Sequence, residues 1–299
     1  MPAEPTLTAP ASTPVRRITV EAADGITLSG LLAEPPADAA AARPRATVVA
    51  LHGGGMSAGY FDCPGSPELS LLALAARRGH TVLALDRPGY GDSARELPEG
   101  LGLTGQAAVL RGALTAFARQ HAVDAGYFLA AHSYGGKLAL ATAAAHEDAH
   151  GYRLLGADIS GLGHRWAVRP PEPGDGVRTH HLHWGPLRSY APETFRHVAR
   201  LTSPMPAREA AELPTWQDTF DALAPRVRIP LRLTFAEHER WWRHDEASLA
   251  DMAARLGSRR VLLDRQPGAG HNISLGHAAG AYHLRLLSFL EDCLSGAAR

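Results

Sequence analysis

The sequence contains few cysteines and almost no lysine. Its 299 residues include 2 cysteines, Cys63 and Cys293, which lie far apart in the chain. So few thiols favour a reduced, cytoplasmic protein, although the sequence leaves a single disulfide open. Of the 30 lysine and arginine residues only Lys137 is a lysine, and 30 acidic residues balance them to a net charge of zero. The chain therefore lacks the basic excess by which proteins bind nucleic acids or anionic membranes.

Long apolar runs and a targeting segment are missing as well. No run in the sequence approaches the roughly 18 consecutive apolar residues that a transmembrane helix requires. The first 14 residues lack the basic and apolar regions of a secretory signal, so we expect a flexible tail there. Hydrophobic residues nevertheless make up 45% of the chain and charged residues 20%. This composition predicts a cytoplasmic globular protein with a large buried core.

Short apolar runs alternate with longer helix-forming segments along most of the chain. The runs predict strands at residues 15–20, 26–33, 46–51, 81–85, 127–131, 154–159, 231–235 and 261–263. The segments between them predict helices at residues 69–78, 106–121, 138–146, 247–256 and 281–293. Such alternation is typical of an α/β protein whose mostly parallel sheet carries helices on both faces. Sites in these sheets lie at the carboxyl ends of the strands, where His52, Asp86 and Ser133 are expected.

The alternation stops between residues 164 and 225. This stretch is rich in proline, glycine, histidine and arginine, with helical pieces predicted at residues 193–201 and 216–223. A structureless loop of that length is implausible inside a compact domain. We therefore predict a cap inserted over the strand ends, and a core formed by residues 15–163 and 226–299.

A serine stands at the most distinctive turn of the sequence. The apolar run from Phe128 to Ala131 ends abruptly, and a helix-forming run begins at Leu138. Between them, Ser133 is held in a turn too tight for large neighbours, and Ala131 and Gly135 are small. Such a turn pushes the hydroxyl off the sheet edge, where it is open to a substrate carbonyl. The alternative is an ordinary strand-to-helix turn in which the serine caps the helix.

Acyl transfer by a serine needs a base, and an acid that orients the base. His271 follows the last predicted strand in a glycine-rich loop that lets its imidazole reach the serine; a loop histidine bonded to the backbone is the alternative. Glu237 and Glu239 follow the preceding strand, and we favour Glu239 because it lies further beyond the strand end. Asp158, near the end of the strand after the serine, is a more distant candidate.

Backbone N–H groups are expected to stabilise the oxyanion of the intermediate. One belongs to Tyr134, at the N-terminus of the helix that follows the serine. The other comes from Gly54 or Gly55, because glycine lets the backbone approach the substrate oxygen closely. A flexible turn is the alternative reading of these glycines, whose spacing matches neither the dinucleotide-binding nor the P-loop pattern.

Four motifs together resemble those of the α/β-hydrolase-fold serine hydrolases, of the esterase and thioesterase type. They are His52–Gly55, Asp86–Ser93, Ala131–Gly135 and Gly270–His271, in this order along the chain. The resemblance covers the chain from about residue 15 to its end, except for the cap. Ala131 is a departure from the pattern, which usually has glycine at this position.

The resemblance implies an α/β-hydrolase fold and a set of catalytic roles. By this likeness Ser133 is the nucleophile, His271 the base and Glu239 the acid, whereas Asp86–Ser93 is a structural turn near the site. Family members with an aspartate nucleophile, such as epoxide hydrolases and haloalkane dehalogenases, are disfavoured because a serine occupies the turn.

The positions of the tryptophans suggest what kind of substrate binds. All 5 tryptophans lie in or after the predicted cap. Trp184, Trp241 and Trp242, with His132, are candidates to line a pocket for a partly apolar small molecule; equally, the tryptophans attach the cap to the sheet. The histidines within residues 179–183 suggest a metal, but no carboxylate or cysteine lies at a ligand spacing. We therefore expect a polar cap surface there, and neither a metal nor a cofactor.

These features predict a serine hydrolase that cleaves a carboxylic ester, a thioester or a lactone through an acyl-enzyme. The same site could instead run acyl transfer, cyclisation or a lyase reaction if the cap excludes water. A binding protein with a vestigial triad is the alternative from another class. The natural substrate and the oligomeric state stay open.

Overall fold

The computed structural model describes residues 14–22, 25–36, 45–63, 66–147, 151–170 and 180–297. The predicted N-terminal tail lies outside these residues apart from Pro14. The residues 179–183 considered for a metal are described from His180 onward.

One sheet of eight strands runs through the described residues. The strands are β1 Val15–Glu21, β2 Thr27–Ala33, β3 Thr47–Leu51, β4 Thr81–Leu85, β5 Tyr127–His132, β6 Leu154–Ser160, β7 Leu231–His238 and β8 Val261–Gly270. Their order across the sheet is β1-β2-β4-β3-β5-β6-β7-β8. β2 is antiparallel to β1 and β4, and every pair from β4 to β8 is parallel. The mostly parallel sheet confirms the predicted fold class and brings the carboxyl ends of those strands to one edge.

Helices cover both faces of this sheet. They are α1 Leu71–Ala76, α2 Leu103–Gln120, α3 Tyr134–Ala144, α4 Thr194–Val198, α5 Ala207–Ala211, α6 Trp216–Leu223, α7 Glu246–Arg255 and α8 Ala279–Ala297. On one face α2 and α3 bury apolar side chains such as Leu114 and Leu138. On the other, α1 and α8 bury Leu72 and Leu286. β3 and β5 lie between the two layers and are buried along their whole length, which explains their continuous apolar runs.

Several elements differ from their predicted bounds, and for α1 and β8 the structure shows why. α1 is shorter than residues 69–78 because Ser70 caps it, with its Oγ accepting the N–H of Ala73 at 3.1 Å. β8 continues to Gly270, well beyond the predicted end at residue 263. It is the edge strand and half of its side chains are exposed, so its sequence lacks the apolar run that reveals the central strands.

Residues 164–225, which we call the insertion segment, lie between β6 and β7. Their described part contains the short helices α4, α5 and α6. Only α6 keeps its predicted bounds, whereas α4 is shorter than the predicted residues 193–201. The segment contacts the loop after β3, because the N–H of Ser203 donates a hydrogen bond to the carbonyl oxygen of Gly55 at 3.1 Å.

The structure also shows the state of the two cysteines and the length and polarity of the helices. Cys63 and Cys293 are both free and buried, so they form no disulfide with each other. Within the described part of the chain, every helix is too short or too polar to traverse a bilayer.

Candidate active site

Ser133 occupies a strained turn between β5 and α3. Its backbone has a φ of 51° and a ψ of −117°, a conformation that costs a non-glycine residue on the order of 1–3 kcal/mol. The turn is tight, since a Cβ on Gly135 would lie only 2.1 Å from the carbonyl oxygen of Leu51. Ala131 fits at the preceding small position, where its side chain is fully buried. The sequence therefore folds locally so that the Ser133 side chain projects from the sheet edge.

The imidazole of His271 lies against the Ser133 hydroxyl. Its Nε2 atom is 3.1 Å from the Ser133 Oγ, although 138 residues separate the two in sequence. His271 follows the end of β8 at Gly270, and its side chain is 2% exposed. A serine and a base at this distance can exchange a proton directly.

Glu239 holds the other side of this imidazole. Its Oε2 atom is 2.8 Å from Nδ1 of His271, and its Oε1 accepts the backbone N–H groups of Arg240 and Trp241 at 3.0 and 2.9 Å. Burial raises the pKa of the Glu239 carboxyl, but the adjacent His271 and these hydrogen bonds outweigh it, so the pKa falls below its ordinary value. The carboxylate is thus ionised and positioned to orient the ring.

The two other candidate acids lie elsewhere. Glu237 is exposed, and its carboxylate accepts the backbone N–H of Gly268 at 2.7 Å. Asp158 is fully buried in an ion pair with Arg232 and accepts the hydroxyl of Tyr282 at 2.8 Å. No hydrogen bond among the described residues joins either carboxylate to His271.

The glycine loop after β3 lies beside the serine. A Cβ on Gly53 would lie 3.1 Å from the Cβ of Ser133. The N–H of Gly55, one of the expected oxyanion donors, already donates to the hydroxyl of Tyr90 at 3.1 Å. The N–H groups of Gly54 and Tyr134 make no hydrogen bond to any other described residue. Gly54 and Tyr134 therefore keep the donors available, and Gly55 does not.

Two further imidazoles lie beside His271. The ring of His132 is centred 4.7 Å from that of His271 and stacks on Tyr60. His183, from the insertion segment, is centred 5.8 Å from His271. Burial, and secondarily the neighbouring His271, lowers the pKa of His183 to about 3, so this ring is neutral. His181 is exposed instead, and no described group of three or more potential ligands has metal-binding geometry.

The three candidate pocket tryptophans separate into different roles. Trp241 is centred 6.5 Å from His271 and lies beside the site. Trp242 stacks on Trp166 at 4.0 Å, and Trp184 packs on the ring of Phe195 at 4.9 Å. Trp242 therefore attaches the insertion segment to the core, whereas the contact of Trp184 with Phe195 lies within that segment.

Lys137, the single lysine of the chain, is buried, although its sequence context predicts no role for it. It lies one helical turn after Ser133, is 3% exposed, and its Nζ has no hydrogen-bond partner among the described residues. Four rings surround Nζ at 4.8 to 5.7 Å from their centroids: Tyr134, Trp166, Trp216 and Trp242. Burial lowers the pKa of Lys137 to about 7, against the opposing effect of two nearby glutamates. The sequence does not reveal these four rings, which we call the Lys137 cage, because they are far apart in the chain and meet only in the folded protein.

The Asp86–Ser93 turn is built as a structural element. Asp86 accepts the N–H of Ala58 and the hydroxyl of Ser29, each at 2.7 Å. A Cβ on Gly91 would lie 2.4 Å from the Asp86 carboxylate. Both carboxylate oxygens of Asp86 are therefore engaged by contacts within the protein.

Known structures share this architecture. The fold is similar to that of the peroxisomal alpha-beta-hydrolase Lpx1 from Saccharomyces cerevisiae, at 15% identity and a TM-score of 0.67, over 95% of this chain and 90% of that one. A haloalkane dehalogenase variant from Bradyrhizobium elkanii is 16% identical with a TM-score of 0.66, over 95% and 99% of the two chains. A thermophilic esterase from Thermogutta terrifontis is 17% identical with a TM-score of 0.58, over 93% and 99%. At such identities the likeness shows the fold alone.

The sequence itself carries the family assignment. No curated protein has a significantly similar sequence. The model of the alpha/beta hydrolase family, however, matches residues 48–282. This match includes the turn of Ser133, the loop of His271 and the whole insertion segment. The chain therefore belongs to the alpha/beta hydrolase family, as its four motifs had indicated.

Proposed function

We propose that the protein is a serine hydrolase that cleaves a carboxylic ester, a thioester or a lactone through an acyl-enzyme. The observation that carries this proposal is the continuous series of contacts from the Ser133 hydroxyl through His271 to the Glu239 carboxylate. A nucleophile, its base and the acid that orients the base thus meet at one point.

The geometry suggests the order of proton transfers. Nε2 of His271 takes the Ser133 proton as Oγ attacks the substrate carbonyl carbon, and the N–H groups of Gly54 and Tyr134 receive the oxyanion. His271 then gives the proton to the leaving group, and the carbonyl re-forms as an acyl-enzyme. A water molecule deprotonated by His271 attacks this ester and releases the acid, while Glu239 stabilises the imidazolium.

Chemistry favours a carbonyl substrate over an epoxide or an alkyl halide, on which other members of this fold act. Attack by the Ser133 oxygen on a saturated carbon would form an ether, and water at the same site cannot cleave an ether readily. Attack on a carbonyl forms an ester that the same base can hydrolyse. The nucleophile therefore supports acyl transfer to water as the reaction class.

We also propose that the insertion segment acts as a cap over the substrate. His183 and Trp241 lie beside His271 on the side of this segment, and the neutral His183 ring can donate or accept one hydrogen bond. A pocket with one polar and several aromatic groups suits a partly apolar acyl or alcohol group. The small-molecule ester, thioester or lactone would bind there.

Replacement of the nucleophile tests the proposal. Ser133→Ala should lower turnover of p-nitrophenyl butyrate by at least about 10³-fold with the fold retained. A fluorophosphonate probe should label the parent protein and leave this variant unlabelled. The exposed Ser295 provides a matched control, since Ser295→Ala should keep both activity and labelling. Parent-like turnover in Ser133→Ala would refute the mechanism.

A second candidate reaction follows from the burial of the base. Because His271 is 2% exposed beneath the insertion segment, water reaches the acyl-enzyme less freely than at an open site. Transfer of the acyl group to another nucleophile, or cyclisation, would then compete with hydrolysis. The ratio of products formed with water and with added methanol or hydroxylamine distinguishes these reactions.

A further inference from the structure

Both backbone polar groups of Gly55 are tied to the insertion segment. The carbonyl oxygen of Gly55 accepts the N–H of Ser203 directly at 3.1 Å. Its N–H donates to the Tyr90 hydroxyl at 3.1 Å, and that hydroxyl in turn donates to Oε1 of Glu209 at 2.8 Å. Ser203 and Glu209 both belong to the insertion segment, so the loop next to the nucleophile is held from outside the core.

Glu209 is the single anion of a buried hydrogen-bond network. Its side chain is fully buried, and both carboxylate oxygens pair with the guanidinium of Arg87. Gln106 donates to its Oε2 at 3.2 Å. Removal of one partner of such a buried pair leaves the other charge buried and uncompensated. The ion pair between Glu209 and Arg87 exists only while α5 packs against the core.

Arg87 extends the network to the start of the glycine loop. Its Nε donates to the carbonyl oxygen of His52 at 2.9 Å, and its backbone N–H donates to Nε2 of His52 at 3.1 Å. The loop is therefore held at His52 through Arg87 and at Gly55 through Tyr90. Both anchors meet at Glu209.

Gly54 lies between these two anchors and is covered by the same segment. A Cβ at Gly54 would lie 2.3 Å from Cε of Met205 and 3.4 Å from Oε1 of Glu209. Met205 and Glu209 of the insertion segment therefore cover Gly54, which lies between the two anchored residues His52 and Gly55.

We propose that Tyr90 and Glu209 are positioning residues that make the oxyanion site depend on the packing of α5 against the core. This inference rests on the proposed function, in which the Gly54 N–H receives the oxyanion. When α5 lifts, Glu209 leaves, the Tyr90 hydroxyl loses its acceptor, and the loop can turn its N–H away.

Tyr90→Phe is the sharpest test, because it removes the bridging hydroxyl and keeps the pair between Arg87 and Glu209. We expect kcat to fall about tenfold or more with KM within twofold of the parent, since a donor to the oxyanion contributes about 10²–10³ in kcat. Affinity for an alkylboronic acid, which mimics the tetrahedral intermediate on Ser133, should fall in the same ratio as kcat/KM. Arg208→Gln, which alters an exposed neighbour of Glu209, should leave these values unchanged.

Glu209→Gln provides a second measurement, with a larger expected loss of kcat because both anchors weaken. A lower melting temperature with parent-like kcat and boronate affinity in the folded Tyr90→Phe protein would overturn the inference, because the contacts would then be only structural. If the fluorophosphonate does not label the parent protein at Ser133, the proposed function fails first. A labelled parent with a fully active Tyr90→Phe variant overturns the positioning role alone.

Discussion

The Nδ1 atom of His271 and the Oε2 atom of Glu239 lie 2.8 Å apart, although the two residues follow different strands. β7 and β8 are parallel neighbours, so the loops that follow them leave the sheet at the same edge. The contact between this imidazole and this carboxylate is thus a direct consequence of strand order. Glu237 and Glu239, two positions apart in the sequence, can therefore be compared directly by substitution.

Glu239→Gln should lower kcat for an activated ester by about 10³–10⁴-fold, because the amide stabilises the wrong tautomer and cannot stabilise the imidazolium. Glu237→Gln should keep kcat within twofold, because Glu237 is exposed and bonds the Gly268 N–H instead. Steady-state kinetics on both purified variants check this. The opposite ranking would make Glu237 the acid and reject Glu239.

Lys137→Met should stabilise the protein at neutral pH. The pKa of Lys137 is about 7 in the folded protein and 10.5 in an ordinary lysine, a difference equivalent to roughly 5 kcal/mol of penalty. Below about pH 7 the amine is protonated in both states, so the folded protein carries the full penalty. Between about pH 7 and 10.5 the unfolded chain keeps the proton that the folded protein has lost, so the penalty decreases as pH rises and is gone at about pH 10.5. The methionine keeps the packing and removes the charge.

Thermal unfolding at pH 6, 8 and 10 tests this. The melting temperature of Lys137→Met should exceed that of the parent by about 8 °C at pH 6, and the difference should shrink towards pH 10. A variant that is less stable at pH 6 would mean that the ring cage stabilises the ammonium more than burial opposes it.

Gly135→Ala should prevent correct formation of the nucleophile turn. The added methyl would lie 2.1 Å from the Leu51 carbonyl oxygen, which is backbone and cannot move aside. We expect a loss of more than about 3 kcal/mol in the free energy of unfolding, or no soluble protein. Gly280→Ala is the control, since its methyl would only touch Leu69 at 3.4 Å. Urea denaturation compares the two, and an equally stable Gly135→Ala protein would contradict the described turn.

Arg232→Met should destabilise the fold by about 3–5 kcal/mol, because it leaves the fully buried Asp158 without its cation. Arg16→Gln removes an exposed pair with Glu34 and should change stability by less than about 1 kcal/mol. Chemical denaturation of both variants tests the contrast. A small effect at Arg232 would show that Asp158 is neutral or solvated, and would reopen its candidacy as a functional carboxylate.

The residues of the candidate site could be named from the sequence because their signals are local. Ser133 stands between small residues after an apolar strand, and His271 follows a glycine-rich stretch. The choice of Glu239 over Glu237 rested on its longer reach beyond the strand, and the contact of Glu239 with His271 agrees with it. β8 was predicted too short because an edge strand needs no continuous apolar run.

The other features of the site could not be predicted, because they depend on contacts between residues that are far apart in the sequence. Glu209 looks like one more charge in an alanine-rich helix until Arg87 and Tyr90 meet it in space. The cage of Lys137 depends on four separated rings. The engagement of the Gly55 N–H depends on the rotamer of a tyrosine from the next loop, which no pattern in the glycine run reveals.

Lys137 also has a practical consequence. It is the single lysine of the chain, and its amine is covered by aromatic rings from α3, the insertion segment and the Trp242 loop. The native protein therefore presents no exposed lysine to an acylating reagent. The rate at which acetic anhydride modifies this side chain, measured by mass spectrometry, would therefore report how often the proposed movement of the insertion segment exposes Lys137.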